Sequence, residues 1–164
     1  MRIKKPVLEQ SILKVQSMNL QEKEAVVDEI FNEQPNLLAS VLVQSQMGNS
    51  LDKIEILLNI LIVAHISLKE SGVKLKKITE DLQENEMARF VATVNFSEGL
   101  NAASINSAIN QYITSQREKY LLAYAFNEMN NSGICSLETE NSKYLIMAGI
   151  NIVNCISAAK LVKL

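Results

Sequence analysis

Residues 51–68 read LDKIEILLNILIVAHISL, and after Lys53 the only ionisable side chains in the stretch are Glu55 and His65. At helical spacing, Ile54, Leu58, Leu61, His65 and Leu68 share one face, and Ile56, Ile60 and Val63 lie opposite. Only a narrow strip with Asp52, Glu55, Asn59 and Glu70 is polar. A helix that is apolar on nearly every side has to be enclosed by others. The stretch therefore predicts a buried central helix over about 51–70, capped by Asn49 or Ser50 and ended near Gly72.

Scarce glycines and prolines punctuate the rest of the chain. Pro6 sits in the first turn of a helix to about Met18, with Val7, Leu8, Ile12 and Val15 near helical spacing. Asn19 followed by Glu22 resembles a capping box for a helix from Leu20 to about Asn32, with a stripe of Ala25, Val26, Ile30 and Phe31. Pro35 opens a third helix, which Gly48 closes, with Leu37, Leu38, Val41 and Leu42 in phase. Between Val73 and Phe96 the phase slips after Ile78 and Leu82, which predicts a break near Asn85; Gly99 ends that segment. Asn101 or Ser104 starts a long helix to about Met129, bending near Ser115, with Ile105, Ile109, Tyr112, Ile113, Tyr120 and Tyr124 inward. Asn130–Gly133 (NNSG) is a turn, and the last helix runs from Leu137 or Asn141 to about Val162.

No run of strict alternation and no Asn-Gly or Asp-Gly hairpin turn argues for strands. The expected fold is all-α: a single-domain bundle over 1–164, with about six or seven helices around the central one. A chain of 164 residues suits one domain. At that size a core forms without disulfides or metals.

Charge and cysteine usage narrow the function classes. The formal net charge is −2 and the longest basic cluster is Lys74-Leu75-Lys76-Lys77, a poor basis for neutralising phosphates. Nucleic acid is therefore not an expected partner. Cys135 and Cys155 form no CxxC spacing, and they read as reduced thiols. The basic start MRIKK is followed by Glu9, Gln10 and Lys14, which interrupt what a signal peptide would need, so a cytoplasmic location is expected. Neither 51–68 nor the uncharged run 144–159 (YLIMAGINIVNCISAA) offers the roughly 20 apolar residues that span a bilayer, so no membrane association is expected.

His65 is the only histidine, and it is the side chain most easily poised for proton transfer or metal binding. There is no Glu-x-x-His or His-x-x-x-His spacing, no EF-hand, no GxSxG, no SxxK and no GxxxxGK[ST]. His65 thus reads as a neutral core residue bonded to a backbone carbonyl or an Asn. Glu55 reads as an anion near the start of its helix, where the dipole favours it. Glu22, Glu24, Asp28, Glu29 and Glu33 form a solvated acidic face. No catalytic residue, metal or cofactor is expected.

The last helix carries the clearest sign of a partner. Leu145, Gly149, Ile152, Ile156 and Ala159 form one inward face, and Met147, Ile150, Asn154, Ala158 and Leu161 form an opposite face without charge. Solvent-facing positions of a monomer are normally rich in charge, whereas an apolar face with amide interruptions suits a protein contact. The expected function is a non-catalytic interaction or structural module that binds a protein partner or itself as a homodimer through this face. The alternative is a pocket between helices for an apolar small molecule or acyl chain, with Glu55 and His65 as its polar groups and Met47, Met87, Met129 and the tyrosines along it.

Overall fold

The computed structural model describes residues 2–96, 102–134 and 140–163. Gly99, Asn101, Cys135 and Leu137 lie outside the described residues, as do the side chains of Ile105 and Ile109. The elements are α1 (Lys5–Gln16), α2 (Leu20–Glu33), α3 (Pro35–Leu42) with a tight 3-10 turn at Val43–Ser45, α4 (Leu51–Glu70), α5 (Glu80–Phe96), α6 (Ala102–Ser115), α7 (Lys119–Asn131) and α8 (Glu140–Ala158). The described residues thus form an all-α bundle.

The central helix is α4, as its pattern requires. Ten of its 20 residues are buried, spread around the axis, and it packs on α1, α2, α3, α7 and α8. Ser50 precedes it in extended conformation but makes no side-chain capping bond, and Asn49 is buried, donating to Gln44 Oε1 at 3.2 Å. Gly72, at φ +68°, turns the chain away after α4, in a backbone region that glycine enters at little cost. The start of α2 is also as expected: Asn19 Oδ1 accepts from the Glu22 amide at 2.8 Å.

A second helix is enclosed as fully. Residues 148–156 of α8 are buried without interruption, and α8 packs on α3, α4, α5 and α7. At Gly149 a Cβ would stand 2.7 Å from Met129 Sδ and 4.0 Å from a Leu57 side-chain carbon. The bare backbone of α8 is what lets α4 and α7 close against it there.

Three expectations fail for one reason, a docked neighbour. Residues 73–79 are not helical, and α5 runs unbroken through Asn85. The phase slip marks a non-helical strap, which the last residues hold in place. Leu75 pairs antiparallel with Leu161, Lys76 N–H donates to Lys160 C=O at 2.8 Å, and Val162 N–H donates to Lys74 C=O at 2.9 Å. The same pairing ends α8 at Ala158 rather than near Val162. On the strap's other side the buried Gln34 amide acts as a one-residue strand partner, donating to Lys76 C=O at 3.1 Å and accepting from Ile78 N–H at 2.8 Å. The long helix expected over about 101–129 does change course near Ser115, as its sequence suggests, but by a full break: residues 116–118 divide it into α6 and α7. Glu118, only 1% exposed, accepts from the amides of Arg2 at 2.6 Å and Ile3 at 3.2 Å. The Arg2 guanidinium in turn donates to Ile156 C=O and Ala159 C=O, giving the carbonyls at the end of α8 the partners a helix terminus lacks.

Smaller corrections concern faces. Phe31 and Leu42, placed inward from sequence, are 62% and 50% exposed. On α7 the buried residues are Leu121, Leu122, Ala125 and Met129, with Tyr120 and Tyr124 only partly covered.

Candidate functional site: the groove at His65

His65 follows Leu61 by one turn and precedes Lys69 by one turn, so the three side chains line one side of α4. Opposite them, α2 contributes Glu29, Ile30 and Glu33, and Gln34 and Leu37 continue the wall. The strap closes a third side with Val73, Lys74 and Leu75, and Ile156 of α8 lies at the base. These groups line a groove, about half open to solvent, with a volume of about 220 Å³. Its lining is mainly aliphatic, with Glu29, Glu33, Gln34, His65, Lys69 and Lys74 as its polar members.

The expected partner of His65, a carbonyl or an amide, is replaced by a carboxylate. His65 Nε2 lies 3.1 Å from Glu29 Oε1, and its side chain keeps 11% of its surface exposed. Lys69 Nζ donates to both oxygens of the same carboxylate, at 2.8 and 3.1 Å. A carboxylate oxygen only accepts, so Nε2 carries a proton in this pairing. The Lys69 hydrogen bond holds the Glu29 carboxyl below its ordinary range; burial opposes that, and His65 adds to it. Reciprocally, the Glu29 bond raises the Lys69 ammonium.

The sign of the pH effect follows. A depressed carboxyl stabilises the fold fully above its unfolded value, near 4.5, and the contribution is lost as pH falls through the lower folded value. The stability gap between the unsubstituted chain and Glu29→Gln should therefore be constant above pH 4.5 and narrow as the pH falls below it. Parallel stability curves on both sides of pH 4.5 would show that the Glu29 carboxylate and its bonds to His65 and Lys69 add nothing.

The sequence-derived candidates do not come together. Glu55 is exposed and precedes His65 by ten residues of α4, about 15 Å along the axis. It takes no part in the groove. Met147, Ile150, Asn154, Ala158 and Leu161 do not share an open face: Ile150 is fully buried, Asn154 is 5% exposed, Met147 is half-buried, and only Ala158 and Leu161 are exposed. Neither Met47, Met87, Met129 nor any tyrosine lines the cavity. Glu29 and Lys69 are the functional candidates that sequence reasoning missed. From sequence Glu29 belongs to the solvated face of α2, and nothing local shows that α2 docks across α4.

A second, more polar cleft of about 300 Å³ lies beside Glu86, Arg89, Phe90, Tyr112, Gln116 and Asn154. There Asn154 Nδ2 donates to Tyr112 Oη at 2.8 Å, and the Phe90 and Tyr112 rings meet at 5.8 Å. This bond gives Asn154, in the middle of α8, a hydrogen-bond partner within the chain. Burial pushes the neighbouring Cys155 thiol up to about 12, with Glu86 adding to it, which leaves it protonated and unreactive at neutral pH.

Among the described residues no three His, Cys, Asp or Glu side chains converge to hold a metal ion, and no helix is long and apolar enough to cross a membrane. Comparison with protein families, with curated proteins and with solved structures finds no match to this chain.

Proposed function

We propose that the chain is a non-catalytic binding module that takes an apolar small molecule or a short acyl chain in the groove at His65. The observation that carries this reading is the cavity of about 220 Å³ walled by Ile30, Leu61, Leu68, Val73 and Ile156. A cavity of about 150 Å³ lined by aliphatic side chains suffices to bind benzene, whereas pockets for drug-sized molecules run from about 300 Å³ upward. The expected occupant is therefore a single chain or ring, with its polar end among the rim charges.

Titration of the 15N-labelled chain with 1-octanol tests this. Saturable amide shifts should centre on Leu61, His65 and Val73, and Leu61→Phe, which fills the space, should abolish them. Shifts scattered over the surface, or none up to the solubility limit, would refute the reading.

Self-association is retained on a narrower footprint. Ala158, Leu161 and Val162 are apolar and exposed at the end of α8 and on the strand-like tail. We expect a dimer that Leu161→Asp dissociates. Light scattering coupled to gel filtration decides it, and a strict monomer at high micromolar concentration would rule it out.

A further inference from the structure

We infer that the mouth of the His65 cavity is a carboxylate-binding position that Glu29 fills when no ligand is bound, so that the occupant is a small carboxylic acid with an apolar tail. The inference rests on the binding-module reading above and adds the chemistry of the ligand's head.

The position is built on α4 and does not depend on α2 for its donors. His65 and Lys69 stand one turn apart on a single helix, so Nε2 and Nζ reach the same point from rigid backbone. A carboxylate already sits at that point. Glu29 Oε1 is 3.1 Å from His65 Nε2 and 2.8 Å from Lys69 Nζ, and Oε2 takes a second Lys69 bond at 3.1 Å. These are the contacts of a charge-assisted anion site.

Glu29 also lines the aliphatic cavity. A tail inserted between Leu61 and Val73 would bring its own head group to the place the Glu29 carboxylate now holds. Glu29 can yield, because its side chain is already 34% exposed on a surface helix and can turn into water. Glu33 and Glu70 also act on the Lys69 ammonium, but among the described residues Glu29 alone is bonded to it, so an incoming anion meets its nearest like charge until Glu29 has moved. Glu29 thereby acts as an internal competitor, lowering apparent affinity in proportion to its occupancy of the site.

Binding of octanoate and of 1-octanol to the unsubstituted chain, Glu29→Gln and Glu29→Gln/Lys69→Met, measured by calorimetry, tests the inference. Glu29→Gln should bind octanoate about tenfold more tightly, because a like charge a few ångströms away is removed. Its octanol affinity should change much less than its octanoate affinity, because the hydroxyl carries no charge, and an unchanged circular dichroism spectrum and melting profile report that the variant is folded. Adding Lys69→Met should erase the octanoate gain. If octanol binds but Glu29→Gln leaves octanoate unchanged or weaker, the carboxylate inference is overturned while the pocket stands. If neither ligand binds any variant, the pocket reading itself fails, and this inference with it.

Discussion

Leu57→Ala should lower the free energy of unfolding by about 4 kcal/mol, the upper part of the range for truncating a buried leucine. Leu57 is fully buried and sits where α4, α7 and α8 meet, beside Gly149 and Met129. The loss has two components. Removing the branched side chain forfeits the transfer free energy gained when its apolar surface leaves water on folding. It also leaves a void whose lining cannot collapse, because three helices converge on it and none is free to shift alone. Leu51→Ala is the internal control: on the same helix, at 79% exposure, it should change stability by less than about 0.5 kcal/mol. Urea unfolding of both variants measures the difference. Similar small effects at the two positions would mean that α4 is not the enclosed helix described above.

Glu118→Ala should cost about 3 kcal/mol, since charge-assisted bonds to two amides are removed together. Ile3 is fully buried, so its amide cannot turn to water for a replacement partner. Arg2 is affected as well, because it bridges the Glu118 carboxylate to Ile156 C=O and Ala159 C=O. Glu118→Gln keeps one accepting oxygen and should recover about half of the loss. Hydrogen exchange supplies an independent readout: the Arg2 and Ile3 amides should lose protection in Glu118→Ala before the core helices do. Unchanged protection there would show that the N-terminal segment is held by other contacts.

The groove depends on the same kind of long-range fastening. Its third wall is the strap, which has few local reasons to be extended. Leu75, Ile78 and Leu82 recur at intervals of three and four, a spacing that reads as helix on its own. What overrides the local pattern is Gln34 on one side and Lys160–Val162 on the other, supplying backbone partners at 2.8 to 3.1 Å. Side chains at 34 and backbone at 160 are invisible to a reading of 73–79. The divided helix at 116–118 has the same origin, because its buried carboxylate answers amides at the other end of the described chain.

His65 was legible as singular but not in its role. Its place among Ile54, Leu58, Leu61 and Leu68 announces burial, and its side chain is indeed mostly covered. Its partner lies 36 residues away on a helix whose acidic residues look solvated from sequence. Asn154 shows the converse. An amide on an uncharged face reads equally well as an interface or as a core hydrogen bond, and its bond to the Tyr112 hydroxyl accounts for it within the chain.

The sequence by itself determined that this chain is helical and that residues 51–68 and 144–159 are its least solvated stretches. Enclosure demands apolar side chains at each position in turn, and that demand is written along the chain one residue at a time. Only the tertiary structure decided that the second stretch is core rather than an open face, that His65 faces a carboxylate, and that a strap closes a cavity beside it. Those outcomes belong to pairs of elements. They depend on which helix docks on which, and the free energy that selects a docking is spread over many contacts rather than carried by any one segment.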